Sequence, residues 1–470
     1  MEAIRQIRPD LDDPTAIAQF VAGLHGSALQ PGDPGYDDAH LVHSMRADGR
    51  RPALVVRACD SADVVRTVDL ARETGRSLSV RSGGHSLAAH GTNDDGIVLD
   101  LRDMKGLHID PDARAAWAQP GLTAGEYSRA VAAHGLATPF GDTASVGISG
   151  LTLGGGIGYL ARKYGLAIDA LQAVEMVTAD GRQVIADEYS HPDLFWAVRG
   201  GGGNFGVVTR FKYHLYPVDQ VYGGALVLPA TRETLRALEP IAARAPEALT
   251  TISFVMHAPP APFIPADRVG ELALMITFVW SGDPADGPAA VQPFRDLAEP
   301  IADLTGPMAY PEIYRFTEAA EARMLAIHRS RFLDHIGDDV VEAILTAMAE
   351  PASPRAMIQL RVLGGAMAEV APEATAFAHR TAAVMALIID VFDDPTSEPV
   401  QQAWTESLDA AFAPHEAGVY VNFLEAEGES RIRAAYPNGT YERLAAIKRR
   451  YDPSNLFDQN QNIRPALAMG

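Results

Sequence analysis

The chain has 470 residues, 47% apolar and 21% charged, a composition that excludes a disordered protein and is long enough for two or three domains. Its formal charge of −21, from 39 basic and 60 acidic residues, excludes sustained contact with nucleic acid or with an anionic membrane. The one cysteine, Cys59, excludes an intrachain disulfide and a cysteine-based zinc site.

Residues 1 to about 40 read as a helical lead-in that ends in the turn-rich Gln30-Pro-Gly-Asp-Pro-Gly35. The amino terminus has no basic region followed by an apolar core. No apolar run reaches the roughly 20 residues needed to cross a bilayer. A cytoplasmic protein, free of membrane, is expected. From about 45 to 215, strand-like runs at 53–56, 97–101, 173–178 and 207–216 alternate with helical segments at 61–74 and 123–134, an α+β pattern dense in glycine.

From about 219 glycine thins out. Strands are expected at 222–228, 250–257, 272–280 and 357–363, interleaved with amphipathic helices at 231–245, 338–349 and 375–386. This second domain reads as an antiparallel sheet covered by helices. Segment 417–423 reads as a strand with Tyr420 and Asn422 on one face.

Two stretches match a dinucleotide fingerprint by letters: Gly156-Ile-Gly-Tyr-Leu-Ala161 and Gly201-Gly-Gly-Asn-Phe-Gly206. That fingerprint needs a helix after the glycines and an acidic residue at a following strand end. Gly206 leads into a period-two strand, and Glu175 lies within a strand, so neither match passes. The glycine clusters are explained either as tight turns or as backbone loops whose N–H groups wrap a large phosphate-bearing cofactor, which needs no lysine. The run Arg81-Ser-Gly-Gly-His-Ser86 sets a histidine behind two glycines directly after a strand, where it is presented to something else.

Six ordered motifs make a resemblance specific: Arg81 to Ser86, Gly141-Asp-Thr-Ala-Ser-Val-Gly-Ile-Ser-Gly150, Gly154-Gly-Gly-Ile-Gly158, Arg162-Lys-Tyr-Gly-Leu166, the segment from Asp193 to Gly206, and Tyr451-Asp-Pro-Ser-Asn-Leu-Phe457. Nearly the whole chain resembles the berberine bridge enzyme-like FAD-linked oxidases, of the para-cresol methylhydroxylase and vanillyl-alcohol oxidase superfamily. The resemblance implies a two-lobed FAD-binding domain at 1–218, a substrate-binding domain at 219–415 and a carboxy-terminal return at 416–470 that completes the first.

The resemblance also implies site residues. His85 is the expected covalent anchor, bonded to the flavin 8α-methyl carbon. Thr143 stands where doubly linked relatives carry a second, cysteinyl link, so one bond is expected, and Leu151 replaces a histidine found in those relatives. FAD contacts are expected from Arg81, Ser82, Gly83, Gly84, Ser86, Ser145, Val146, Gly147, Gly150, Gly154, Gly155, Gly158, Asn204, Val207, Val208, Asn422, Tyr451 and Asn455. Tyr420 is the candidate base, needing a cation or hydrogen-bond donors to lower its pKa from about 10. Gln359 and Arg361, on one strand face, are its candidate partners, Arg361 alternatively being a solvated strand residue. His90 reads as loop surface, and His379, in Ala376-Phe-Ala-His-Arg380, as a structural residue on a helix.

The implied reaction is oxidation of a small molecule, sugar-like or a secondary metabolite, by hydride transfer to FAD. Dioxygen then reoxidises the flavin to give hydrogen peroxide. Oxygenation with the same cofactor, or binding without turnover, are the alternatives. No metal is expected.

Overall fold

The computed structural model describes residues 13–467; the first twelve residues of the expected helical lead-in lie outside them. The rest of that lead-in is a helix at Pro14–Ala22, a short strand at Ser27–Leu29 and one helical turn at Tyr36–Ala39. The molecule is α+β, with three main sheets.

The first sheet has four strands in the order Ser27–Leu29, Leu54–Arg57, Ile97–Asp100, Leu78–Arg81, the last three mutually parallel. Its crossover helix, Ser61–Thr74, starts because the Asp60 carboxylate accepts from the amides of Ala62 and Asp63. It stops at Gly75, which adopts φ +71°. The helix buries Val64, Val68 and Ala71 against the sheet. A second, fully antiparallel sheet runs in the order Leu107–Asp110, Ala115–Ala118, Val207–His214, Leu171–Val177, Gln183–Asp187.

The large third sheet is antiparallel throughout. Its central strands are, in order, Gln220–Pro229, Leu272–Trp280, Leu249–His257, Met357–Val362, Val384–Phe392 and Leu325–Leu333. Side chains alternate cleanly. Val255, Leu274, Ile276, Ile358, Leu360, Ala386 and Ile388 face one way and pack under the helices Arg232–Arg244, Asp338–Ala349 and Glu398–Phe412. Phe254, Met275, Gln359, Arg361 and Leu387 face the other way, toward the glycine-rich loops.

Two expected elements differ. The helix at 375–386 is a loop followed by the strand Val384–Phe392. That strand is buried on both faces, so its near-continuous apolar run carries no period to distinguish it from a helix. His379 therefore sits on a loop, buried, with Nε2 2.9 Å from the Ala434 carbonyl. The strand at 417–423 ends at Gly418, where a φ of +130° breaks it, and Val421–Phe423 forms a turn of 3-10 helix.

Candidate functional site

Between the helix-free face of the large sheet and the glycine-rich loops lies a cavity of about 1220 Å³. One wall is built by the chain leaving the strand Leu78–Arg81. The Arg81 guanidinium is buried and ion-paired to Asp100 at 2.7 Å, and it donates also to the carbonyls of Ala39 and Leu41, so it fixes the strand end. At Gly83 an added Cβ would sit 2.3 Å from the Gly147 nitrogen, and Gly84 adopts φ +75°. The loops 82–86 and 145–147 thus pack backbone on backbone, and only glycine permits that approach.

This turn presents His85 to the cavity. Its Nε2 lies 3.0 Å from Ser145 Oγ, and its ring stacks on His43 with centroids 4.2 Å apart. Burial, with a smaller contribution from the charge of protonated His43, pushes the His85 pKa down to about 3, so the imidazole is neutral at ordinary pH. A neutral imidazole keeps one ring nitrogen free as a nucleophile.

FAD, which the resemblance implies, can be tested against the wall itself. Among the described residues, the amides of Gly83, Gly84, His85, Ser86, Leu87, Thr143, Ala144, Ser145, Gly203 and Asn204 find no acceptor in the protein. Most of these half-buried residues line the cavity, where free backbone N–H groups can form a nest for a pyrophosphate. An added Cβ at Gly150 or Gly203 would meet nothing within 4 Å, so bare backbone faces open space there. Val146, Gly147, Val207 and Val208 complete this wall with apolar surface. The donor set fits FAD.

The opposite side carries Tyr420, Asn422, Gln359 and Arg361. Tyr420 is 3% exposed, and its hydroxyl oxygen accepts from the Gly156 amide and from Asn422 Nδ2, both at 2.9 Å. Phe332, Phe377 and Phe423 surround its ring. Burial raises the phenol pKa above its ordinary 10. The two donated hydrogen bonds and the nearby Arg361 charge pull the other way without overcoming it. The lowered pKa expected from its neighbours is therefore not what this environment gives.

Arg361 is buried, not a solvated strand residue. It donates to Gln359 Oε1 at 2.8 Å, to the Ile157 carbonyl at 3.0 Å and to Asp142 Oδ2 at 2.8 Å, and its guanidinium lies 5.3 Å from the centre of the Phe423 ring. Gln359 spends its carbonyl on this contact and keeps its amide N–H groups for the cavity that it lines. Asp142, inside a quoted glycine motif, was not singled out from sequence; a carboxylate embedded in a buried turn was the available signal. The same holds for His43 and His328 on the cavity wall. His90 is no surface residue: it lines the cavity, its Nε2 is buried without a partner, and burial pushes its pKa down to about 4.

Several expected contact residues either spend their side chains inside the protein or lie off the wall. Asn204 lines the cavity, but its side chain is spent on Gly201, Gln461, Ile463 and the buried Lys448. Burial pushes the pKa of Lys448 down to about 8. Tyr451, at the end of the helix Thr440–Tyr451, bonds Asp193 and does not reach the cavity. Asn455 sits in a turn with φ +56° and likewise does not line it. Gly154, Gly155 and Gly158 act by their lack of side chains. An added Cβ would press on Asn422, on Phe377 and Tyr420, and on the Phe140 carbonyl, respectively. Cys59 is exposed, off the cavity wall, with Sγ 3.4 Å from Asp63 Oδ2.

Two family models match the chain: an FAD binding domain over residues 52–187, and a berberine and berberine-like segment over 419–464. The (R)-6-hydroxynicotine oxidase of Paenarthrobacter nicotinovorans is 32% identical over 467 residues, covering 94% of this chain and 97% of that protein. An uncharacterised FAD-linked oxidoreductase of Bacillus subtilis is 28% identical, again covering 94% and 97%. The crystal structure of 6-hydroxy-D-nicotine oxidase from Arthrobacter nicotinovorans superposes with a TM-score of 0.84 at 30% identity, covering 94% of this chain and 98% of that one. Among the described residues no helix is long and apolar enough to cross a membrane. With the orphaned amides and the presented His85, these likenesses identify the chain as an enzyme of the berberine bridge enzyme-like FAD-linked oxidases.

Proposed function

We propose that this enzyme oxidises a C–H bond next to a hydroxyl or amine of a small molecule, using FAD held covalently by His85. The observation that carries the reading is the His85 ring, presented to the cavity 3.0 Å from Ser145 Oγ beside loops whose amides find no acceptor in the protein. The relatives named as oxidases support it. Bound FAD supplies the hydride acceptor and returns the electrons to dioxygen, giving hydrogen peroxide.

The chain's residues supply position and proton transfer. Ser145 Oγ, 3.0 Å from Nε2, orients the ring, and whichever ring nitrogen lacks the proton in the neutral tautomer is the one able to attach. Thr143 stands at the position of the second link, and Cys59 is off the wall, so a single bond is proposed. Tyr420 takes the proton from the substrate hydroxyl or amine; the Gly156 amide and Asn422 stabilise the phenolate that must form, and Arg361 adds a positive charge nearby. Gln359 offers its amide N–H to the substrate heteroatom. The domain division at 218 and 415 and a cytoplasmic location belong to the same proposal.

The test is intact mass and visible absorbance after acid denaturation, for the native protein and for His85→Ala. Retention of one FAD mass by the native chain, lost in the variant, is the expected result. Flavin that washes out of both removes the covalent anchor, and protein that never held flavin removes the oxidase reading.

A further inference from the structure

The substrate-facing wall of the cavity can be read strand by strand from the sheet register, and it is chemically narrow. Across one row, Met275 pairs with Phe254, Phe254 with Gln359, and Gln359 with Leu387. The next row runs Met256, Met357, Ile389, His328. Side chains directly opposite on one face are close neighbours, so each row is a continuous strip. In eight positions there is one amide, one imidazole at the far edge, and otherwise thioether or hydrocarbon.

Charge is equally scarce. Asp142 is the one carboxylate on the cavity wall among the described residues, and it is committed to Arg361 at 2.8 Å. The other two arginines of the wall are also matched, Arg81 by Asp100 and Arg355 by Asp393. A carboxylate entering this space would lose water and find no cation free to replace it. A sugar bears a hydroxyl on nearly every carbon, whereas the eight positions of the two rows offer two polar side chains, the Gln359 amide and the His328 imidazole, with Tyr420 and Asn422 also on the cavity wall. Unmet buried hydroxyls are strongly rejected by such a site.

Three methionines in the two rows flank Phe254 or its neighbours. Thioether side chains are polarisable, flexible partners for flat rings. Resting on the oxidation proposed above, we infer that the substrate is a largely apolar molecule containing a flat ring and a single hydroxyl handle, or an amine bound in its neutral form, rather than a sugar or a carboxylate. The handle meets Tyr420 and Gln359, and the ring lies on the Met275–Phe254 strip.

The experiment titrates the flavin-loaded protein anaerobically and reads the change in its visible spectrum. Three probes are used: naphthalenemethanol, naphthoate with the same ring but a charge, and cellobiose. Naphthalenemethanol is expected to bind about tenfold or more tightly than naphthoate, with cellobiose giving no change at the same concentration. Met275→Glu should weaken naphthalenemethanol about tenfold or more, while Met275→Leu stays within about threefold. Naphthoate or cellobiose binding as well as naphthalenemethanol, or no response to naphthalenemethanol, overturns the inference, and this ranking on the native protein stands even if Met275→Glu does not fold. Binding in the expected order supports the substrate class whether or not the flavin is bleached. A spectrum that shifts with every ring compound tried but is never bleached counts against the oxidation instead.

Discussion

Tyr420 offers the sharpest test of the mechanism, because its surroundings pull its proton in two directions. Burial holds the phenol above pH 10, whereas two hydrogen bonds at 2.9 Å and the Arg361 charge are arranged around an anionic oxygen. If the phenolate is the working base, less than about 0.3% of the enzyme is in the active form at pH 7.5. The rate of flavin reduction in anaerobic stopped flow should then rise about tenfold per pH unit from pH 7 to 9, with no plateau in that range. The sign follows from the direction of the shift: raising the pKa moves the plateau to higher pH and cannot create one near neutrality. Tyr420→Phe should lower the rate about 100-fold or more and abolish the slope. It also leaves the Gly156 amide without its acceptor, at about 1–3 kcal/mol, while Asn422 Nδ2 keeps the Leu151 carbonyl, so flavin content and denaturation midpoint are measured alongside. Asn422→Ala, which removes one donor, should steepen the need for alkali by moving the limb up by about one unit. A rate that is flat over pH 7 to 9 in the native enzyme, or unchanged in Tyr420→Phe, refutes the assignment.

The ion pair beneath the sheet gives a stability prediction. Asp142→Ala leaves the Arg361 cation buried without its counter-charge, which should cost about 3–5 kcal/mol in urea denaturation, and adding Arg361→Met should recover most of it. Equal stability of the single variant and the native chain would show that water reaches this pair. For His85 the lowered pKa predicts pH-independent attachment: apoprotein mixed with FAD should gain covalent flavin at similar rates from pH 5.5 to 7.5. An ordinary histidine would lose about tenfold over the same interval, and a drop of that size contradicts a buried neutral ring. Cys59→Ser should leave the covalent flavin content unchanged, because Sγ lies off the cavity wall; a fall in attached flavin would revive a cysteinyl link.

The loops proposed to hold FAD are legible in the sequence because their geometry is local. Gly83 and Gly147 must be glycine for two loops to touch, and the need for backbone donors leaves a signature in consecutive residues. Even Tyr420 and Asn422 were correctly paired, although the strand expected to align them is a 3-10 turn, since two residues that close in sequence meet under either geometry. Residues that only stiffen the wall, such as Asn204 through Lys448, share the same motifs and could not be separated from ligand contacts by letters alone.

The sheet wall proposed to face substrate is not legible in the sequence, and the reason is long-range. Arg361 finds Asp142 across 219 residues of chain, and that contact converts a cation read as solvated or substrate-binding into a neutralised pair. Phe254, Met275, Gln359 and Leu387 form one strip only through a register set by four strands, one of which begins at 384–386, inside the helix expected at 375–386. Each strand alone looks like ordinary antiparallel sheet, with one face for the core and the other unassigned. It is the summation of the unassigned faces that makes this wall poor in charge, so the substrate choice proposed for this enzyme rests on strand pairing and not on any motif.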